Sequence, residues 1–265
     1  MKADETEQQY VQRLAKELDD EFQRVGPDTV CAFIAETVSG TSLGCAPPVP
    51  GYFTAMKEVC DRYGALLIMD EVMSGMGRTG TLHAWEPEGV VPDLQTVAKG
   101  LGAGYMPVGA LLVGEKVAET LANGSGAFYH SQTYQGHPVA CAAAYAVQTV
   151  MKEDKMLQNA QNMGKVLGDK LKEKLGGHKN VGDVRGRGLY WGTKEPFDLS
   201  EQVAGKLHKA GLGADHGISL IPSTGCLDGI RGDMVIVSPP FTITKEEVDL
   251  LVDKVEKVVT SVLGA

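Results

Sequence analysis

The chain has 265 residues, of which 43% are hydrophobic, and a formal net charge of −9 at pH 7. This length is enough for one large domain or two modest ones. The acidic balance argues against nucleic acid or an anionic membrane as the main partner. No apolar run approaches the length of a membrane span, and the N-terminal residues contain no apolar signal core, so we expect a cytoplasmic protein.

Helical and strand patterns alternate in the first half of the chain. Residues 4–25 carry apolar side chains at helical spacing, and Gly26-Pro27 ends this helix. Residues 29–36 predict a buried strand that ends on Glu36, and residues 53–63 predict a helix. This order is typical of an α/β fold.

Two short apolar runs, residues 65–69 and 94–98, are typical of buried strands. The first delivers Asp70 and Glu71 at its carboxyl end, where open α/β sheets bind their ligands. The second ends on Lys99 and a glycine-rich loop. Because strand side chains two apart share a face, Asp70 and Val72 should point together and Glu71 away from them. Taken singly, an Asp-Glu pair is often only a turn cap, and a lysine before glycine is often a solvated loop residue. Together they predict a carboxylate and an amine that face a common crevice.

The second half of the chain begins with a polar loop, residues 131–137, ahead of Pro138, which is a favoured first residue of a helix. Thr133 in this loop suits phosphate binding, because free backbone N–H groups collect at helix starts. Ordinary helix capping by Ser131 or Thr133 is the competing interpretation. We expect a domain boundary after Gly176-Gly177, with a large domain over residues 1–177 and a small one over residues 178–265, whose last helix opens with a capping box, Thr244 and Glu247.

Several segments together resemble one enzyme family. The segments are LLIMDEV, GMGRTG, PDLQTVAKGLGAGYMPVGA and SQTYQGHPVACAAA. They resemble the class III (omega-type) aminotransferases, which use pyridoxal 5'-phosphate (PLP) and have fold type I. The resemblance extends from about Gly26 to the C-terminus. It implies a truncated, mostly parallel sheet flanked by helices, followed by a small C-terminal α+β domain.

The resemblance also assigns roles to residues. Asp70 would pair with the pyridine nitrogen of PLP, and Val72 would lie against the ring. Lys99 would form the Schiff base, and Thr133 would hold the phosphate across a dimer interface. Glu36 matches a glutamate that lines the substrate pocket, and a strand-end carboxylate facing water is an equally weighted alternative.

The chemistry of PLP explains why these residue types are needed. The ring is an electron sink that works best with its nitrogen protonated, and a carboxylate favours that form through a charge-assisted hydrogen bond. A lysine amine is nucleophilic when burial and nearby positive charge lower its pKa, and the freed amine can then move a proton as a general base. A resident metal is not expected, since the five cysteines lack CxxC spacing.

Two departures from the family pattern bear on function. Many members carry an arginine just before the paired prolines, where it grips the substrate α-carboxylate, and the segment here is MVIVSPP. Relatives also have a long N-terminal portion with a phosphate-binding loop, an aromatic residue stacked on the ring and several strands, none of which has a counterpart here. Without it we expect an unpaired strand edge and an uncovered apolar face, and hence a homodimer or a complementary subunit.

Two functional hypotheses remain open from sequence. One is a PLP enzyme acting on an amine or amino acid, as an aminotransferase or as a lyase, decarboxylase, racemase or mutase. The other is a degenerate, non-catalytic subunit that retains the scaffold.

Overall fold

The computed structural model describes residues 1–2, 4–194 and 203–264. The helices, α1 to α7, are Glu7–Val25, Tyr52–Tyr63, Glu115–Asn123, Pro138–Glu153, Met156–Leu175, Val203–Leu212 and Lys245–Leu263. The strands, β1 to β8, are Ala32–Glu36, Leu66–Asp70, Leu94–Val97, Ala110–Val113, Asp183–Arg187, Tyr190–Lys194, Ile221–Ser223 and Met234–Val237. None of the described helices is both long and apolar enough to cross a bilayer.

The backbone divides into two compact units, each formed by several segments. The first unit contains Met1–Thr37, Pro48–Met76 and His83–Val150, and the second contains Val38–Pro47, Gly77–Leu82 and Met151–Ala265. The domain boundary proposed from sequence, between residues 177 and 178, stays a prediction.

The first unit is built on a mostly parallel sheet in the order β1-β2-β3-β4. β1, β2 and β3 run parallel, and β4 is antiparallel to β3. One face of β1 and β2 is covered, since Leu67 and Met69 are fully buried against Phe53 of α2. α1 packs behind α2, where Phe22 contacts Tyr63 with ring centroids 5.2 Å apart. These features confirm the predicted α/β class.

The opposite face and the edges of this sheet are exposed. Ile34 on the edge strand β1 retains 59% of its accessible surface, and Leu111 on the edge strand β4 retains 40%. The prediction that β1 is a buried strand is therefore wrong. The apolar composition of β1 reflects the face of Phe33 and Ala35, which are partly buried on the α2 side. It did not reveal that the other face is exposed.

The second unit contains an antiparallel sheet in the order β5-β6-β8-β7, packed with α5, α6 and α7. Its core is apolar and continuous; fully buried members include Leu167, Leu171, Leu207, Val235, Val255 and Val258. The capping box at the start of α7 is present, with the Glu247 N–H donating to Thr244 Oγ1 at 3.2 Å and the Thr244 N–H donating to Glu247 Oε2 at 2.8 Å. The α+β character expected for the C-terminal region is confirmed.

A close approach between α5 and β6 depends on a glycine. A Cβ added at Gly168 would lie 1.9 Å from Cζ2 of Trp191, so the indole occupies the space of a side chain. Gly205 on α6 has nothing within 4 Å of an added Cβ. The two helical glycines therefore differ in the space that an added methyl group would find.

This difference gives a stability prediction. We expect Gly168→Ala to lower the free energy of unfolding by about 1–3 kcal/mol, because overpacking forces Trp191 out of its position. The matched variant Gly205→Ala should raise it by about 0.5–1 kcal/mol, since alanine favours the helix. Urea denaturation followed by Trp fluorescence measures both. Equal effects of the two substitutions would show that the Trp191 contact does not restrain this glycine.

Candidate active site

Parallel pairing brings three candidate residues to one edge of the first sheet. Glu36 of β1 lies opposite Asp70 of β2, and Asp70 lies opposite Thr96 of β3. Lys99 follows β3 after one further residue. Neighbouring strands are about 4.8 Å apart, so the carboxyl ends that carry Glu36, Asp70 and Lys99 are adjacent.

Asp70 offers an open carboxylate oxygen at this edge. The side chain is half-buried, and its Oδ1 accepts a hydrogen bond from the Val72 N–H at 2.9 Å. Within the described residues Oδ2 accepts none. The Asp70 carboxylate and the half-buried Val72 are thereby joined in a short local turn at the end of β2.

Lys99 has an unusual backbone and an unpaired amine. It begins a 3-10 turn with φ +39°, a conformation that costs energy in a residue other than glycine. The turn is supported by Gln148 of α4, whose Nε2 donates to the carbonyls of Gly100 at 3.2 Å and Leu101 at 3.1 Å. Lys99 Nζ is exposed and forms no hydrogen bond or ion pair with any described residue. The neighbouring structure thus holds Lys99 in place while leaving its amine available.

These groups fit the cofactor implied by the sequence. PLP needs an amine for its aldehyde and an acceptor for its ring N–H, and Lys99 and Asp70 supply one of each. Thr96 between them has a buried Oγ1 with no hydrogen-bond partner in the described part of the chain. A polar ligand at this edge would satisfy a group that is otherwise orphaned.

Glu36 is half-buried beside Asp70. Its position at the same sheet edge is compatible with a substrate pocket and with a partly solvated strand end. Both interpretations from sequence therefore remain.

Thr133 is not joined to the other candidates by any hydrogen bond among the described residues. It is exposed and lies in the turn that precedes α4. The alternative explanation, helix capping, is not supported for Thr133 either, because the Ala140 N–H donates instead to Nδ1 of His137 at 3.4 Å. Its phosphate role stays a prediction.

Arg78, in the glycine turn GMGRTG, makes its contacts within the second unit. Arg78 Nη1 donates to the carbonyls of Leu189 at 3.1 Å and Pro239 at 2.7 Å. Its guanidinium lies 4.4 Å from the ring centroid of Phe241. Burial lowers the pKa of Arg78 to about 10. These contacts give Arg78 a packing role within that unit.

The sequence analysis missed the importance of Glu71. Its carboxylate is fully buried and accepts hydrogen bonds from four groups: Thr37 Oγ1, the Ala84 N–H, the Trp85 N–H and Gln95 Nε2, each at 2.8 Å. Burial raises the pKa of Glu71, and the donors oppose that change. The signal was available: Glu71 is in phase with Leu67 and Met69, so its carboxylate belongs to the covered face and must find donors there.

Comparison with known proteins gives the family. The model described as aminotransferase class-III matches residues 1–259. An uncharacterised aminotransferase of Schizosaccharomyces pombe is 50% identical over 98% of this chain and 58% of its own length. A diaminobutyrate–2-oxoglutarate transaminase of Halomonas elongata is 35% identical over 98% of this chain and 56% of its own length.

Solved structures agree with the sequence relatives. A transaminase from a study of directed evolution by ancestral reconstruction superposes with a TM-score of 0.90 at 37% identity, over 99% of this chain and 58% of that one. An (S)-enantioselective omega-transaminase from Thermomicrobium roseum superposes with a TM-score of 0.87 at 36% identity, over 98% of this chain and 57% of that one. The chain thus spans somewhat more than half the length of these relatives, with a partial form of their fold. It belongs to the class III aminotransferase family.

Proposed function

We propose that this chain carries the catalytic centre of a PLP-dependent aminotransferase, with Lys99 holding the cofactor as a Schiff base. The reaction moves an amino group from an amine donor to a 2-oxo acid acceptor, and the donor leaves as a carbonyl compound. The observation that supports the proposal is the strand register, because Asp70, with its open oxygen, and Lys99, with its unpaired amine, follow neighbouring strands at one sheet edge.

The residues divide the chemistry between them. When bound, PLP supplies an electron sink for the carbon that bears the amino group. Asp70 would accept the ring N–H and favour the protonated form of that nitrogen. The Lys99 amine would take the proton from the substrate carbon as a general base. Val72, whose N–H donates to the Asp70 carboxylate, would supply an apolar surface for the ring.

The substrate class follows from what the chain lacks and from its relatives. The residues before the paired prolines form β8, whose side chains from Met234 to Val237 are apolar and buried, so this segment supplies no cation for an α-carboxylate. Two relatives are named for diaminobutyrate and gamma-aminobutyrate, compounds that carry an amino group distant from their carboxylate. We therefore assign a donor with a terminal primary amine and a 2-oxo acid acceptor. Glu36 would face that donor.

The proposal includes a second chain. Exposed apolar side chains on β1 and β4 leave a sheet face that water covers poorly, which favours association. Aromatic residues between β3 and α4, and one on α4 itself, are exposed as well: Tyr105, Phe128, Tyr129 and Tyr134, with Tyr145 on α4. A homodimer covers such surfaces and lets Thr133 of one copy reach the cofactor phosphate of the other. A non-catalytic subunit shares this need for a partner, and the loss of activity on substitution of Lys99 separates the two.

Lys99→Ala tests the cofactor link. The unchanged protein mixed with PLP should develop the absorption band of a lysine Schiff base and transfer amino groups to 2-oxoglutarate or pyruvate. Lys99→Ala should abolish both, because no other amine occupies this edge of the described sheet. The control Lys116→Ala, on α3, should retain them. An absorption band that survives in Lys99→Ala would show that Lys99 does not bind PLP. Amino-group transfer at an unchanged rate in Lys99→Ala would refute the proposed mechanism.

Asp70→Asn tests the ring-nitrogen contact. The amide keeps the shape but loses the charge that favours a protonated ring, so kcat should fall by about 10²-fold or more, as for other preorganised electrostatic contacts. The surface variant Asp20→Asn on α1 serves as the control. Steady-state kinetics with saturating PLP provide the measurement, and an unchanged kcat would contradict the assigned role.

Ile34→Lys tests association through the open sheet face. A lysine on this face should shift sedimentation at micromolar concentration from dimer toward monomer, because burial of its charge in an interface is costly without an opposite charge beside it. Val91→Lys is the matched control, since Val91 is 67% exposed before β3 and lies outside the strands. Identical sedimentation of both variants and the unchanged chain would exclude this face from the interface.

A further inference from the structure

Glu71 lies on the opposite face of the sheet from Asp70 and connects all three parallel strands. Its carboxylate accepts from Thr37, the residue after the last position of β1, and from Gln95 of β3. Its own backbone N–H donates to the Thr96 carbonyl at 2.9 Å. One residue therefore ties together the three strand ends that carry Glu36, Asp70 and Lys99.

The same carboxylate also orders the segment that follows the glycine turn. It accepts the backbone N–H groups of Ala84 and Trp85, both at 2.8 Å. The Trp85 indole donates to Gln95 Oε1 at 2.9 Å, and Trp85 stacks on His83 at 5.4 Å between ring centroids. The network thus lies on the covered face of the same sheet edge, opposite the face that carries the Asp70 carboxylate.

A second route from Glu71 to Lys99 passes through packing. A Cβ added at Gly75 would lie 2.9 Å from Cβ and from Oε2 of Glu71, so the turn residue lies directly on this side chain. A Cβ added at Gly100 would lie 3.1 Å from Cβ of Met76, the next residue of that turn. Gly100 follows Lys99, and displacement of Glu71 would reach the Lys99 backbone through these contacts.

We propose that Glu71 is a positioning residue, which fixes the Lys99 turn relative to Asp70 from the far side of the sheet. This inference rests on the proposed function for its consequence in PLP binding, but not for its structural content. The strained Lys99 backbone needs support from its surroundings. Glu71 supplies it through hydrogen bonds to Thr37 and to β3, and through the packing of Glu71 on Gly75 and of Met76 on Gly100.

A purely structural role is the alternative, and the sheet offers a matched control for it. Asp93 is a buried carboxylate at the amino ends of β2 and β3, where its Oδ2 accepts a hydrogen bond from the Leu67 N–H at 2.8 Å. It also lies 3.5 Å from Lys57 Nζ. Loss of Asp93 should destabilise the sheet without reaching the opposite edge.

The experiment compares Glu71→Gln with Asp93→Asn. In Glu71→Gln an NH₂ group replaces one oxygen and faces two donors, whichever way the amide is turned. Thr37→Val removes one of the four donors and is the milder variant for use if Glu71→Gln does not fold. Asp93→Ala extends the control to larger losses of stability, so that variants of equal melting temperature can be compared.

The first measurement is hydrogen exchange in the protein without added PLP. The amides of Leu101, Gly102 and Ala103 donate to the Ala98 and Lys99 carbonyls at 2.8–3.2 Å and report on the Lys99 turn. Their exchange should accelerate about tenfold in Glu71→Gln, as for the loss of one hydrogen bond's worth of local stability. In the Asp93 variants it should change by no more than about twofold, since distant sites act independently.

The second measurement is PLP affinity, followed by the Schiff-base band. The dissociation constant should rise about tenfold in Glu71→Gln, in line with the loss of other groups that orient a ligand-binding side chain, and stay unchanged in the Asp93 variants. If an Asp93 variant with the same melting temperature as Glu71→Gln shows the same changes in hydrogen exchange and in PLP affinity, the inference is overturned. If the unchanged chain forms no band with PLP, the proposed function fails, and hydrogen exchange alone then decides whether Glu71 holds the Lys99 turn.

Discussion

The parallel pairing of β1, β2 and β3 is the constraint on which the candidate site depends. It ends three strands at one edge, so that Glu36, Asp70 and the turn that begins at Lys99 lie along that edge although they are far apart in sequence. Side chains alternate along a strand, so a slip of one residue in β2 would exchange the faces of Asp70 and Glu71. Asp70 would then lose its access to a ligand, and the Glu71 carboxylate would lose its donors. The register therefore determines which carboxylate is open to a ligand and which is enclosed by protein donors.

One face of this sheet is covered by protein, and the other is exposed to water. On the covered face, Leu67 and Met69 are fully buried, and a carboxylate can lie among them only because four donors surround it. On the open face, Asp70 is half-buried and Ile34 is mostly exposed. A ligand or a second chain on that face would exclude water from the edge where Lys99 lies, and exclusion of water strengthens every charge interaction there. The chain spans only part of the length of its relatives.

Local patterns predicted most of the secondary structure, and their errors have physical causes. The first helix was expected from residue 4 but begins at Glu7, because Thr6 caps it in a capping box with Gln9, a signal present in the sequence. The burial of β1 could not be read from apolar composition, since Ile34 and Phe33 look alike in sequence and differ only in what covers them. The ends of two apolar runs indicated Asp70 and Lys99, and the resemblance supplied their roles. Strand alternation correctly separated Asp70 from Glu71.

The support of the site was beyond local reasoning. Glu71 finds its partners at Thr37, Ala84 and Gln95, and Lys99 finds its turn held by Gln148, contacts that arise only when the chain is folded. Thr133 shows the limit from the other direction, because its expected partner is a phosphate bound by another copy of the chain.

A crystal structure of the chain soaked with PLP would show whether Lys99 and Asp70 hold the cofactor. We expect continuous density between Lys99 Nζ and the cofactor, with an Asp70 carboxylate oxygen about 2.7–2.9 Å from the ring nitrogen, the distance of a charge-assisted hydrogen bond. Density that joins PLP to another lysine, or a ring nitrogen without a contact to Asp70, would contradict it.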